Sequence, residues 1–129
     1  IALEPEILIL DEPTAGLDPI GREKVLDMIE NYRSTTGKTV IVVSHSMDDV
    51  ARFATRVLVM NTSKIDLFDT VKNVYSDAAR LTALGLGVPL VTKIFLELKN
   101  RGIDVRTDIF TVEQAKNELL RILRKEGAK

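Results

Sequence analysis

Asp11 and Glu12 stand side by side at the end of an unbroken apolar run, Ile7-Leu8-Ile9-Leu10, and Pro13 follows them. Adjacent carboxylates at a strand end can divide labour. Successive strand side chains point opposite ways, so one acid can face a metal ion while the other faces a water. His45 is the only histidine and follows an apolar run, Val40-Ile41-Val42-Val43, with Ser44 between. Asp18 precedes Pro19, a pair that suits a helix start, with the carboxylate as N-cap and the proline where a missing N–H costs nothing. Each residue has a bland reading as well. Two acids after a strand can simply open a polar loop, a lone histidine is usually structural or on the surface, and Asp18 can be a cap and nothing more.

The elements around these residues decide whether they can meet. A continuous apolar run reads as a strand buried on both faces, as in a parallel sheet, and Pro13 must end it. The helix opened by Asp18-Pro19 carries Val25, Met28, Ile29 and Tyr32 at i, i+3, i+4 and i+7, and Gly37 can close it in a left-handed conformation. Thr39-Val40-Ile41-Val42-Val43 is β-branched throughout and reads as a second buried strand. Strand, helix and strand in succession predict a right-handed crossover with parallel strands. Both strands then end at one edge, which brings Ser44-His45 to the side of Asp11-Glu12, where open α/β sheets bind ligands. Gly37-Lys38-Thr39 is not the end of a phosphate-binding G-x-x-x-x-G-K-[ST] loop: Tyr32 stands where the first glycine is needed, and a helix precedes it where a strand should.

Further along, Ser46 is placed to cap a short helix with Val50, Phe53 and Ala54 on its apolar side, and Asp48 and Asp49 suit that helix's positive first turn. Residues 56–60 and 64–68 read as strands around the turn Asn61-Thr62-Ser63. A short helix is expected over 71–75, then a linker with some helical content over 77–87. Pro89 starts a helix with Val91, Ile94, Phe95 and Leu98 on one face and Gly102 at its end. Thr111 and Gln114 have capping-box spacing, and Val112, Ala115, Leu119 and Ile122 continue the helical period. Residues 121–129 are charged and expected to fray. Ile1-Ala2-Leu3 reads as the end of a helix.

The 129 residues carry 18 basic and 19 acidic side chains, so no global charge favours nucleic acid or an anionic membrane. Cysteine is absent, which excludes disulfides and thiolate metal sites. The apolar runs are too short to span a bilayer, and the start has neither the charge nor the cleavage pattern of a signal peptide. The first residue is Ile, and the chain is expected to continue upstream.

The full run Ile7-Leu8-Ile9-Leu10-Asp11-Glu12-Pro13-Thr14-Ala15-Gly16-Leu17-Asp18-Pro19 resembles the Walker B strand and D-loop of the ABC-type ATPases. Val42-Val43-Ser44-His45-Ser46-Met47-Asp48-Asp49 resembles their switch-histidine region. Leu86-Gly87-Val88-Pro89, Leu98-Lys99-Asn100-Arg101-Gly102-Ile103-Asp104-Val105 and Thr111-Val112-Glu113-Gln114-Ala115 look like the C-terminal extension of energy-coupling factor ATPases, the paired motors of vitamin and metal-ion importers. One departure is Asp69-Thr70-Val71, where the family often has Gly-Thr-Pro.

The resemblance implies an α/β fold: residues 1–76 as part of a P-loop NTPase-like core with parallel strands and crossover helices, and residues 77–129 as a small, mainly helical extension that helps hold two ATPase subunits together. It implies ATP and Mg²⁺ as cofactors. Asp11 would help hold Mg²⁺, often through water, Glu12 would polarise or deprotonate the attacking water, His45 would contact the terminal phosphate, and Asp18 would act across a dimer interface. The implied partners are a second ATPase subunit, identical or not, a transmembrane coupling subunit and a substrate-binding membrane subunit, all at the cytoplasmic face of the membrane, with no nucleic acid. A phosphate-binding loop, Q-loop and signature motif are not found in these residues, so the chain alone is expected to be inactive. Two alternatives stay open: an ABC ATPase of DNA repair or translation, and a non-catalytic dimerisation module.

Overall fold

The structure is a computed structural model that describes residues 5–126, with side chains as far as Arg124. The expected helix end at Ile1-Ala2-Leu3 and the last three residues lie outside the described residues. The chain forms two compact units, one up to Ser46 and one from Met47 onward.

In the first unit, β1 (Ile7–Asp11) and β2 (Thr39–Val43) pair in parallel, from Ile7 opposite Thr39 to Asp11 opposite Val43, with α1 (Pro19–Thr36) between them in sequence. Asp18 caps α1 by accepting from the Gly21 N–H at 2.6 Å. Gly37 adopts φ 66° and donates its N–H to the Arg33 carbonyl, which ends the helix as a left-handed glycine should. Two expectations need correction. The strands are not buried on both faces: Leu8, Leu10 and Val40 are half-buried, whereas Ile7, Ile9, Ile41 and Val43 are exposed. A single crossover helix can cover only one face of a two-stranded sheet. The apolar stripe of α1 is also rotated: Leu26 is buried at 4% exposure, while Met28 is 69% exposed. Arg22, Val25, Leu26 and Ile29 make the inward face, with a charged residue at one corner that hydrophobic periodicity could not have included.

The second unit begins with α2 (Met47–Phe53), followed by an antiparallel hairpin of β3 (Arg56–Asn61) and β4 (Lys64–Thr70). Its two-residue turn has φ 45° at Thr62 and 61° at Ser63, the left-handed pair that a tight hairpin demands. Four helices follow: α3 (Val71–Ser76), α4 (Ala78–Ala83), α5 (Leu90–Asn100) and α6 (Val112–Glu126). Ala51, Val59, Val74, Tyr75, Leu81, Val88 and Phe110 form one core cluster, and Phe95, Val105, Ile109 and Ala115 another. The first cluster draws on residues from both sides of Ser76, so packing does not divide the chain where the extension was expected to begin. Tyr75 donates its hydroxyl to the Met47 carbonyl, and burial pushes its phenol above the ordinary range. The end of α5 closes as a double turn, with Gly102 N–H on Lys99 and Ile103 N–H on Leu98. The capping box of α6 forms in both directions between Thr111 and Gln114.

On α6 the buried positions are Ala115 and Glu118, with Ile122 half-buried, whereas Val112 and Leu119 are exposed. Glu118 can be buried because it is saturated: both oxygens accept from Arg121, and Oε1 also accepts from the Arg106 N–H. The bond from Arg121 is the main reason its carboxyl is held down to about 2. The Arg106 guanidinium likewise holds Asp108 at about 2 through paired bonds of 2.9 and 2.8 Å.

Candidate functional site

The site belongs to the first unit and lies where β1 and β2 end. Parallel pairing carries Asp11 level with Val43, so the residues that follow leave from one edge. Glu12 continues the ladder by one bond, its N–H donating to the Val43 carbonyl at 2.9 Å. The backbone then turns: Glu12 has φ 44°, and its carbonyl accepts from the Ala15 N–H. A non-glycine residue in the left-handed region costs of order 1–3 kcal/mol, and such positions cluster where function requires them. The strand therefore stops at Asp11, and the two carboxylates part company through a left-handed turn at Glu12. Strand alternation, the reason expected for their separation, does not extend that far.

That turn delivers Glu12 to the histidine. His45 donates its backbone N–H to Glu12 Oε1 at 3.0 Å, and its ring Nδ1 lies 2.7 Å from the same oxygen. An ionised carboxylate can only accept, so Nδ1 carries the proton and Nε2 is left for another partner. The imidazole is 84% exposed and the Glu12 side chain 33%, so the pair is held by geometry and remains open to a ligand.

Asp11 is exposed at the edge, and no cluster of three or more acidic or histidine side chains suited to a metal occurs among the described residues. Asp18 spends its carboxylate on the helix cap. Of the four residues singled out from sequence, the structure brings Glu12 and His45 into contact, with Asp11 and Asp18 on the adjoining backbone. Sequence reasoning missed Arg22, whose Nη2 donates to Ser46 Oγ at 2.5 Å. A contact across 24 positions leaves no periodic trace; a charged residue on the inward face of α1 was the signal, visible only once that face was known.

No family model matches the chain. It is 50% identical over 124 residues, 96% of its length, to the energy-coupling factor transporter ATP-binding protein EcfA2 of Clostridium perfringens, of which it covers 44%. To the protein of the same name from Clostridium acetobutylicum it is 46% identical over 129 residues, covering all of this chain and 44% of the relative. Among solved structures it is similar to cbiO1 of Clostridium perfringens, part of the ABC transporter complex cbiONQ, with a TM-score of 0.54 and 31% identity over 77% of this chain and 36% of that one. The chain thus spans less than half the length of these relatives. The similarity to proteins named as energy-coupling factor transporter ATP-binding proteins extends over 96% of the chain or more in these two relatives, and the α/β fold with parallel strands agrees with an ABC-type ATPase.

Proposed function

We infer that this chain is part of an ABC-type ATPase of the energy-coupling factor kind, and that Glu12 and His45 serve its hydrolytic step. The observation that carries this reading is the convergence of His45 Nδ1 and N–H on one Glu12 oxygen at the end of two parallel strands.

Phosphoryl transfer to water needs positioning and charge stabilisation more than covalent chemistry. Glu12 keeps one oxygen on His45 and has the other to orient a water and accept its proton as the water oxygen attacks the terminal phosphorus, while the bond from that phosphorus to the bridging oxygen breaks and the nucleoside diphosphate leaves. The same bond fixes the imidazole tautomer, so Nε2 is what His45 presents to the terminal phosphate. Asp11 suits Mg²⁺, which takes one or two carboxylates and fills its remaining positions with water and phosphate oxygens. A single exposed acid at a strand edge fits that need, and the ion would neutralise charge on the nucleotide phosphates.

The relatives' names support a transporter setting. In this reading the protein acts at the cytoplasmic face of a membrane, with a second ATPase subunit, a transmembrane coupling subunit and a substrate-binding subunit, to drive uptake of a vitamin or metal ion. No described helix is long and apolar enough to cross a membrane, which suits a subunit bound to such partners. Residues 1–76 supply the nucleotide-facing part and residues 77–129 the extension; Asp18 acts across the ATPase dimer, and the exposed apolar stripe of α6 serves subunit association. The 129-residue chain alone is inactive, because it has no phosphate-binding loop.

The test places Glu12→Gln in a polypeptide that joins this stretch to such a loop. Hydrolysis should fall by about two orders of magnitude or more, the range for loss of a general base, with ATP binding nearly intact. Unchanged turnover would remove Glu12 from its role.

A further inference from the structure

The loop that carries His45 is held from a third direction. Its ring and N–H rest on Glu12, and the N–H of the next residue, Ser46, donates to Ser44 Oγ at 3.1 Å. The Ser46 hydroxyl in turn accepts from Arg22 on α1. Arg22 lies one turn into the helix, where its own N–H donates to the Asp18 carbonyl at 2.9 Å. One arginine therefore joins the helix that starts at Asp18 to the residue directly after His45. A guanidinium presents its donors in a rigid planar fork, so it fixes direction as well as distance.

We propose that Arg22 is a positioning residue: through Ser46 it fixes the backbone that presents His45 and ties it to the first turn of α1. Glu12 holds the histidine at one oxygen. Arg22 adds an anchor on a different element, one residue further along the loop. A shift of the Asp18 end of α1 is then passed to the imidazole without any change at Glu12. The catalytic consequence rests on the ATPase reading above; the structural one does not.

Two measurements separate them. In the 129-residue chain, amide hydrogen exchange followed by NMR reads the His45 N–H directly. Arg22→Gln and Ser46→Ala should each speed exchange there by roughly tenfold, as expected for losing a bond to a charged donor, while amides in the middle of α1 keep their protection. In the longer polypeptide that hydrolyses ATP, each change should lower kcat by roughly tenfold with KM changed less than about twofold, since a misplaced catalytic group costs rate before binding. The double variant should be no worse than either single one, because both break the same contact, and Arg22→Lys should recover part of the rate. Unchanged His45 exchange in folded Arg22→Gln and Ser46→Ala chains overturns the proposal, as do additive losses in kcat. If the wild-type polypeptide fails to hydrolyse ATP, the ATPase reading falls, and the exchange experiment still decides the role of Arg22.

Discussion

Glu12 Oε1 receives His45 twice, from the ring Nδ1 at 2.7 Å and from the backbone N–H at 3.0 Å. The two bonds have different jobs. The amide bond holds the loop to the end of β1, and the ring bond sets the tautomer and leaves Nε2 outward.

His45→Ala removes only the second. The ring is largely exposed, and exposed ion pairs contribute about 0–1 kcal/mol, so the melting temperature of the chain should scarcely move. Turnover by the longer polypeptide should fall by about 10² or more if the ring contacts the terminal phosphate. Thermal unfolding together with single-turnover hydrolysis checks both halves, and a large loss of stability with little loss of rate would make His45 a structural residue.

Gly21→Ala is expected to break the usual rule for helix glycines. Alanine should gain about 1 kcal/mol in a helix interior. Here an added Cβ would stand 2.9 Å from Asp18 Oδ1, the atom that caps α1. Displacing that carboxylate costs a cap bond of about 1 kcal/mol, so the gain should vanish or reverse. Denaturant titration of Gly21→Ala beside Asp18→Ala tests this. With the cap already gone, Gly21→Ala should become stabilising.

Much of this arrangement was legible in the sequence. β2, the capping box at Thr111 and Gln114 and the left-handed ends at Gly37 and Gly102 follow from local chemistry, and they formed where expected. What was not legible depends on neighbours. Exposure of Ile7, Ile9, Ile41 and Val43 reflects how many layers cover the sheet, which an apolar run does not encode. Met28 and Leu26 are both good inward residues for α1, and only packing chose between them. The left-handed turn at Glu12 was hidden because nothing about a glutamate announces positive φ. Glu118 was overlooked on α6 because a buried carboxylate becomes acceptable only with Arg121 and the Arg106 N–H in place.

That carboxylate should govern the acid stability of the second unit. Glu118 is held at about 2 against an ordinary 4.5, first by the hydrogen bond from Arg121, and Asp108 is held at about 2 against 3.8 by Arg106. A carboxyl depressed in the folded state stabilises it fully above the unfolded value, and that contribution is lost as pH falls through the folded one. Stability should therefore decline between about pH 4.5 and 2. Glu118→Gln should cost about 2 kcal/mol at neutral pH and flatten that decline, with Asp108 left to supply what remains. Urea unfolding at pH 7, 4 and 2.5 reads both, and a variant with unchanged pH dependence would remove Glu118 as its source.

The outward side of α6 offers a test of association. Val112, Leu119 and Leu123 are 75%, 45% and 63% exposed and recur at i, i+7 and i+11, so they lie along one stripe of the helix, bordered on one side by buried Ala115. An exposed apolar stripe of this kind is a candidate contact surface. Under the proposed function the partner is a second ATPase subunit. Leu119→Asp with Leu123→Asp should leave folding within about 0.5 kcal/mol, as expected for exposed positions. The same pair of changes should weaken self-association, or association with a sister subunit, by tenfold or more, because it sets two charges in an apolar contact. Sedimentation equilibrium over a range of concentrations measures this. Unaltered association by a folded double variant would place the subunit contact elsewhere and leave the stripe without a part in it.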